Sequence, residues 1–293
     1  MPLSLNAQSK AKKWGIRMIL YHLMVRLSGL VLLVVLGIGL ARGLPDITML
    51  RFSDLSSPPD LPSQLTFSPP EPEAPAVPAQ DWLRHHGWEQ VWPKRLLGKG
   101  IELTFNGPPT QRYLRLFADN AYAIWSHRLT VDPHQLPILE ITWAIERFPD
   151  GAALDLHGHN DRPLAVLVSL GPEVHSGGLH PDVPRGLAFF WGETETVGAT
   201  YTCIKPRTGP AKERLQCTYP HVKYIALRSG GAGTVHTDRV NLLELFQQQF
   251  PDYWQEHHQV PPVVGVSFEA GSDETESLSI SRLYALAFRA ANE

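Results

Sequence analysis

The sequence predicts a mainly β protein, a jelly-roll-like sandwich with one short helix, preceded by a single N-terminal membrane helix and a Pro-rich linker. Three observations carry this. Apolar residues form one dense run near the N-terminus, a period-two alternation begins after Asp81, and turn residues punctuate the alternating segments, within a total of 26 Pro and 23 Gly. Hydrophobic residues at 43% with 8 Trp suffice for a substantial core. A formal net charge of -3 lacks the basic excess that nucleic-acid binding needs, so nucleic acid is set aside.

Residues 1–17 are expected to be cytoplasmic and residues 18–41 to span the membrane as a signal anchor. At roughly 1.5 Å per residue, about 24 apolar residues cross a hydrocarbon core of about 30 Å. Lys10, Lys12, Lys13 and Arg17 precede the run, whereas Arg42 and Arg51 are offset by Asp46 and Asp54 after it. The positive-inside rule then places the N-terminus in the cytoplasm of a bacterial-type inner membrane and the remainder in the periplasm. The competing reading is a cleaved signal peptide, but Leu40-Ala41-Arg42-Gly43 is a poor small-x-small cleavage site. His22 and Arg26 interrupt the run on one helical face. They are candidates for contact with a partner helix, against the simpler reading that Arg26 snorkels to the headgroups and carries His22 with it.

Residues 42–80 hold nine prolines, from Pro45 to Pro78, and read as an extended spacer that either tethers a domain or runs along a neighbouring protein. Residues 81–293 form the expected β-sandwich domain. Strands are predicted at 100–105, 113–117, 121–130, 139–145, 164–170, 187–191, 222–228, 263–268 and 278–288, with the one helix at 241–249, where Leu242, Leu245 and Phe246 share a face. Tyr201-Thr202-Cys203 and Cys217-Thr218-Tyr219 mirror each other across a basic loop. In an oxidising compartment this predicts a Cys203–Cys217 disulfide, with two buried thiols as the alternative.

The order of segments resembles the bacterial domain of unknown function 3047 family. The matching stretches are Leu139-Glu140-Ile141-Thr142-Trp143-Ala144-Ile145, Asn160-Asp161-Arg162-Pro163, Phe189-Phe190-Trp191, Tyr224-Ile225-Ala226-Leu227-Arg228-Ser229-Gly230, and Val264-Gly265-Val266-Ser267-Phe268 leading to Ser272-Asp273-Glu274-Thr275. The resemblance implies an exported or anchored β-sandwich and carries no activity. Two of its acidic segments each lack a carboxylate here, which weakens any ion or ligand site drawn from Asp161, Asp273 and Glu274.

Several constellations bear chemistry. Asp155, His157, His159 and Asp161 alternate, so an extended backbone would project all four to one side as a possible metal cluster, against the commoner solvated loop. Paired acids for glycoside hydrolysis could come from Glu140, Glu146, Glu193, Glu195, Glu269 and Glu274, with Glu193 and Glu195 expected on the solvent side of a strand end. No Gly-x-Ser-x-Gly elbow is present, and Gly230-Gly231-Ala232-Gly233 has no Lys-Ser/Thr after it. Trp125, Trp143 and Trp191 read as core more than as a sugar platform, while Phe250, Tyr253 and Trp254 are the expected exposed aromatic patch. The leading expectation is a non-enzymatic, membrane-anchored binding or assembly protein without a cofactor, an accessory subunit of an inner-membrane complex. The alternative is a glycan-binding module for envelope polysaccharide, and a glycan or ester hydrolase comes third.

Overall fold

The computed structural model describes residues 66–70, 78–92, 100–176, 181–202 and 219–292. The chain divides into two compact units, Met1–Leu55 and Ser56–Glu293, and every described residue belongs to the second. The expected membrane segment with His22 and Arg26, most of the spacer, and Cys203 and Cys217 lie outside the described residues. Among the described residues no helix is long and apolar enough to cross a membrane.

The elements in chain order are β1 (Thr66–Phe67), α1 (Ala79–His85), β2 (Trp88–Trp92), β3 (Glu102–Asn106), β4 (Tyr113–Asp119), β5 (Tyr122–Val131), β6 (Ile138–Arg147), β7 (Ala165–Val174), β8 (Val183–Gly192), β9 (Thr200–Tyr201), β10 (Val222–Ser229), β11 (His236–Asn241), α2 (Leu242–Gln249), α3 (Pro251–His257), β12 (Val263–Gly271) and β13 (Leu278–Arg289). They form two sheets. Sheet A runs β11-β6-β13-β4-β3, with β1 added beside β13, and sheet B runs β2-β5-β12-β7-β8-β10-β9. Pairing is antiparallel except between β8 and β10, which are parallel. The result is a mainly β sandwich, as the alternation predicts.

Alternation decides which side chains meet between the sheets. On β6, Leu139, Ile141, Trp143 and Ile145 are fully buried, while Glu140, Thr142 and Glu146 face outward. On β5, Ala123, Trp125, Leu129 and Val131 point inward, with Tyr122, Ile124, Ser126 and Arg128 between them on the other face. Trp125, Trp143 and Trp191 are at most 1% exposed, so they belong to the core and form no sugar platform. Trp143 and Trp191 also bind the two sheets across one end. Trp143 Nε1 donates to Asp238 Oδ2 at 2.7 Å, Arg228 Nε donates to the same oxygen at 2.7 Å, and the Arg228 guanidinium lies 5.5 Å from the Trp191 ring.

The predicted helix is α2. Asn241 is its cap: the side-chain oxygen accepts from Leu243 N and Glu244 N, satisfying donors that the first turn leaves open. Two further short helices, α1 and α3, correct the expectation of a single one; α3 starts at Pro251 and ends at His258 in the left-handed region. It corrects the expected aromatic patch. Phe250 is only 8% exposed, and Tyr253 and Trp254 are partly buried against the core, because the α2–α3 turn folds them onto the Phe246 ring and neighbouring core residues. The Arg185 guanidinium covers the Tyr253 ring at 4.3 Å.

Candidate functional site

The outer face of sheet B carries the concentration of polar and aromatic groups. Phe268 packs inward against Phe67 and Trp88, so Glu269, its neighbour on β12, faces out. The strand register lines up two rows across this face. One row reads Ile124, Glu269, Ala165, Phe190, Ala226; the next reads Glu89, Ser126, Ser267, Leu167, Ala188, Tyr224, Tyr201. A third row, Arg128, Gly265, Ser169, Gly186, Val222, continues below. Small residues, Ala165, Ser267, Ala188, Gly265, Ser169 and Gly186, thus make up most of the centre of the sheet, interrupted by Glu269, Leu167 and Phe190.

The first row is roofed by the connection from β6 to β7. Leu154 packs on Ala165, Phe190 and Ala226, with Tyr201 and Tyr224 beside them. The same connection delivers Arg162 over Glu269. Arg162 Nε donates to Glu269 Oε1 at 2.5 Å, with the side chains 10% and 1% exposed. Tyr122 OH donates to Glu269 Oε2 at 2.8 Å, and Arg162 Nη2 donates to Tyr224 OH at 3.2 Å. The guanidinium also lies 4.6 Å from the Tyr224 ring centroid and 5.9 Å from that of Tyr122. Both carboxylate oxygens of Glu269 are therefore occupied.

Electrostatics follow the geometry. Burial, then the Glu269 charge, push the Tyr122 hydroxyl well above its ordinary value, so it remains a donor. Burial likewise raises Tyr224. Burial alone would lower Arg162, but the Glu269 carboxylate and the two tyrosines outweigh it and hold the guanidinium well above its usual range. Gly271 completes the arrangement: a Cβ there would lie 2.7 Å from Tyr122 Cδ2, so only glycine lets the ring settle over the end of β12.

The residue before Arg162 fixes the loop opposite. Asp161, 5% exposed, accepts from Glu274 N at 3.2 Å, Thr275 N at 2.7 Å and Thr275 Oγ1 at 2.7 Å. The two acidic segments named by the family resemblance thus meet, and the carboxylate that remains holds backbone N–H groups. The alternating Asp155, His157, His159 and Asp161 do not share one face. Their stretch is a series of turns around the positive-φ residues Gly151 and Gly158, and His159 Nδ1 lies 3.0 Å from Gly151 O. Among the described residues no three His, Cys, Asp or Glu side chains are grouped to hold a metal, and Asp273 and Glu274 belong to the turn that Asp161 caps.

The remaining acids separate in space. Glu140 faces Arg239 and Arg289, and Glu146 pairs with Arg282 and Arg115, all on the outside of sheet A. Glu195 corrects its expected solvent position: 8% exposed, it folds back over Gly192, accepting from Leu154 N at 3.1 Å and Thr194 N at 3.2 Å. Sequence reasoning missed Tyr122 and Arg162 as members of the site. The available signal was Glu269, a single acid closing the apolar run of β12.

The family model of a protein of unknown function, DUF3047, matches residues 100–286. No curated protein matches the sequence. Similar solved structures include endoglucanase 3 of Trichoderma harzianum from family GH12, with TM-score 0.34 and 11% identity over 77% of this chain and 94% of that one. The xyloglucanase domain of NopAA, a type three effector from Sinorhizobium fredii in complex with cellobiose, has TM-score 0.34 and 10% identity over 69% of this chain and 93% of the other. Endoglucanase cel12A from Rhodothermus marinus has TM-score 0.31 and 11% identity over 69% and 92%. With its family model spanning β3 to β13 and its two acidic segments joined through Asp161, the chain belongs to the DUF3047 family.

Proposed function

We propose that this chain is a non-enzymatic, anchored periplasmic domain of jelly-roll type that binds polysaccharide along the outer face of sheet B. The observation that carries the reading is the row Glu89, Ser126, Ser267, Leu167, Ala188, Tyr224. It crosses six strands, about 24 Å at roughly 4.8 Å per interval, enough for an extended oligosaccharide. Along it Leu167 is flanked by the short side chains of Ser267 and Ala188, the partly exposed Ser126 carries a hydroxyl bonded to Ser267 at 2.6 Å, and Tyr122 and Tyr224 present partly exposed rings. Aromatic faces pack against the C–H surface of sugar rings while hydroxyls exchange hydrogen bonds with theirs. Binding without turnover is supported by Glu269. Glycoside hydrolysis requires an acid that can donate a proton and a second carboxylate, whereas both oxygens of Glu269 are engaged by Arg162 and Tyr122.

The test is a glycan array followed by calorimetry on the full-length protein in detergent. Saturable binding of an oligosaccharide, weakened about tenfold (roughly 1.4 kcal/mol) by Tyr224→Ala, is expected. Absence of binding, or binding indifferent to Tyr224→Ala and Tyr122→Ala, would overturn it. The N-terminal apolar run and the Pro-rich spacer favour a second reading, an accessory subunit of an inner-membrane complex. Stoichiometric co-purification after mild solubilisation supports that reading, and recovery of the protein alone argues against it.

A further inference from the structure

On the opposite, inward side of sheet B, the parallel β8–β10 register pairs Gly186 with Val222 and Leu187 with Lys223. Arg185, His221 and Lys223 are thereby gathered at one end of the two strands. Arg185 rests on the Tyr253 ring, and Lys223 Nζ lies 6.0 Å from the Phe250 ring while donating to Thr202 Oγ1 at 3.4 Å. Neither cation forms an ion pair among the described residues. Both are partly exposed, and both charges act on His221 between the ends of the two strands, with Asp182 as the opposing carboxylate. His221 is 9% exposed, and its Nε2 is buried without a hydrogen-bond partner. A buried polar atom left open in this way calls for an occupant.

We propose that Arg185, Lys223 and His221 form a site for a tetrahedral oxyanion, a sulfate or phosphate group, separate from the sugar-binding face. Two cations supply charge-assisted hydrogen bonds, and the anion offers an acceptor for Nε2 once the imidazole is protonated. Binding and protonation are coupled. In the free protein burial, then Arg185, then Lys223, lower His221, with Asp182 and a hydrogen bond to the Val183 backbone opposing them. The other groups facing this end are Tyr219, whose ring stands edge-on to His221 at 6.2 Å, and Tyr253 on α3. An anion that screens the two cations raises the imidazole again, so the protein takes up a proton as it binds.

Sulfate is the suitable probe because it does not titrate between pH 5 and 8, so any proton taken up belongs to the protein. Calorimetry of the full-length, detergent-solubilised protein in buffers of different ionisation enthalpy at pH 6.5 is expected to show saturable sulfate binding with net proton uptake. Affinity should fall as the pH rises to 8. Arg185→Gln with Lys223→Gln should weaken binding tenfold or more, whereas His221→Gln should weaken it less at pH 6.5, abolish the proton uptake and remove the fall in affinity toward pH 8. Glucose 6-phosphate binding more tightly than sulfate would assign the site to an ester, and equal affinity would assign it to the free anion. The proposal fails if no saturable binding occurs, if the double variant with unchanged melting temperature binds sulfate as before, or if proton uptake persists in His221→Gln.

Discussion

Replacing Glu269 with Gln keeps the shape of the side chain and removes its charge, leaving Arg162 buried beneath the β6–β7 connection without a counter-ion. The side chains are 10% and 1% exposed, so solvent cannot compensate. Breaking one side of a buried pair costs about 3–5 kcal/mol. For a domain of this size roughly 1 kcal/mol shifts the melting temperature by about 2–4 °C, so Glu269→Gln should lower it by on the order of 10 °C. The companion variant, Glu269→Leu with Arg162→Met, removes both charges and should recover much of that loss, because the cost lies in the stranded cation. Thermal melts of wild type, single and double variants by circular dichroism provide the assay. A shift below about 2 °C for the single variant would refute the reasoning, since it would mean that the guanidinium finds water or another acceptor.

Asp161→Ala removes the acceptor for three donors in the 274–275 turn and should cost about 2–3 kcal/mol, with faster amide exchange there seen by mass spectrometry. Trp143→Ala should cost about 3–5 kcal/mol in denaturant titration, because it empties a fully buried site and releases Asp238 from its indole donor. Burial lowers both His127 and His221, so their neutral forms belong to the folded state. Stability from them is complete above the unfolded value of about 6.5 and is lost as pH falls below it, so the melting temperature should drop between pH 7.5 and 5.5, less steeply in His127→Gln.

Strands with strict alternation, such as β4, β5 and β6, were legible because one face is apolar and the other is not. β11 was not, since only Val240 of its six residues is buried and its polar side chains pair with Thr142 and Glu140 at the edge of sheet A. Alternation of Asp and His at 155–161 implies one face only if the backbone is extended, and Gly151 and Gly158 bend it. Glu195 and Phe250 look exposed in a local window, yet the chain folds back over both. The Arg162–Glu269 pair spans 107 residues of sequence, and no local pattern joins groups so far apart. Their meeting depends on which strands become neighbours.

The order of those neighbours bears on how the domain comes into being. β13 lies between β6 and β4 in one sheet, and β12 lies between β5 and β7 in the other, although they are the last strands in the chain. Neither sheet can close before the C-terminal residues are available, and contacts so distant in sequence form slowly. A ribosome-bound, partly synthesised chain would therefore hold two open half-sheets with unpaired edges, the state most prone to aggregate. Truncation after α3 would leave those gaps permanently, so the loss of a few dozen C-terminal residues should abolish folding of the whole domain.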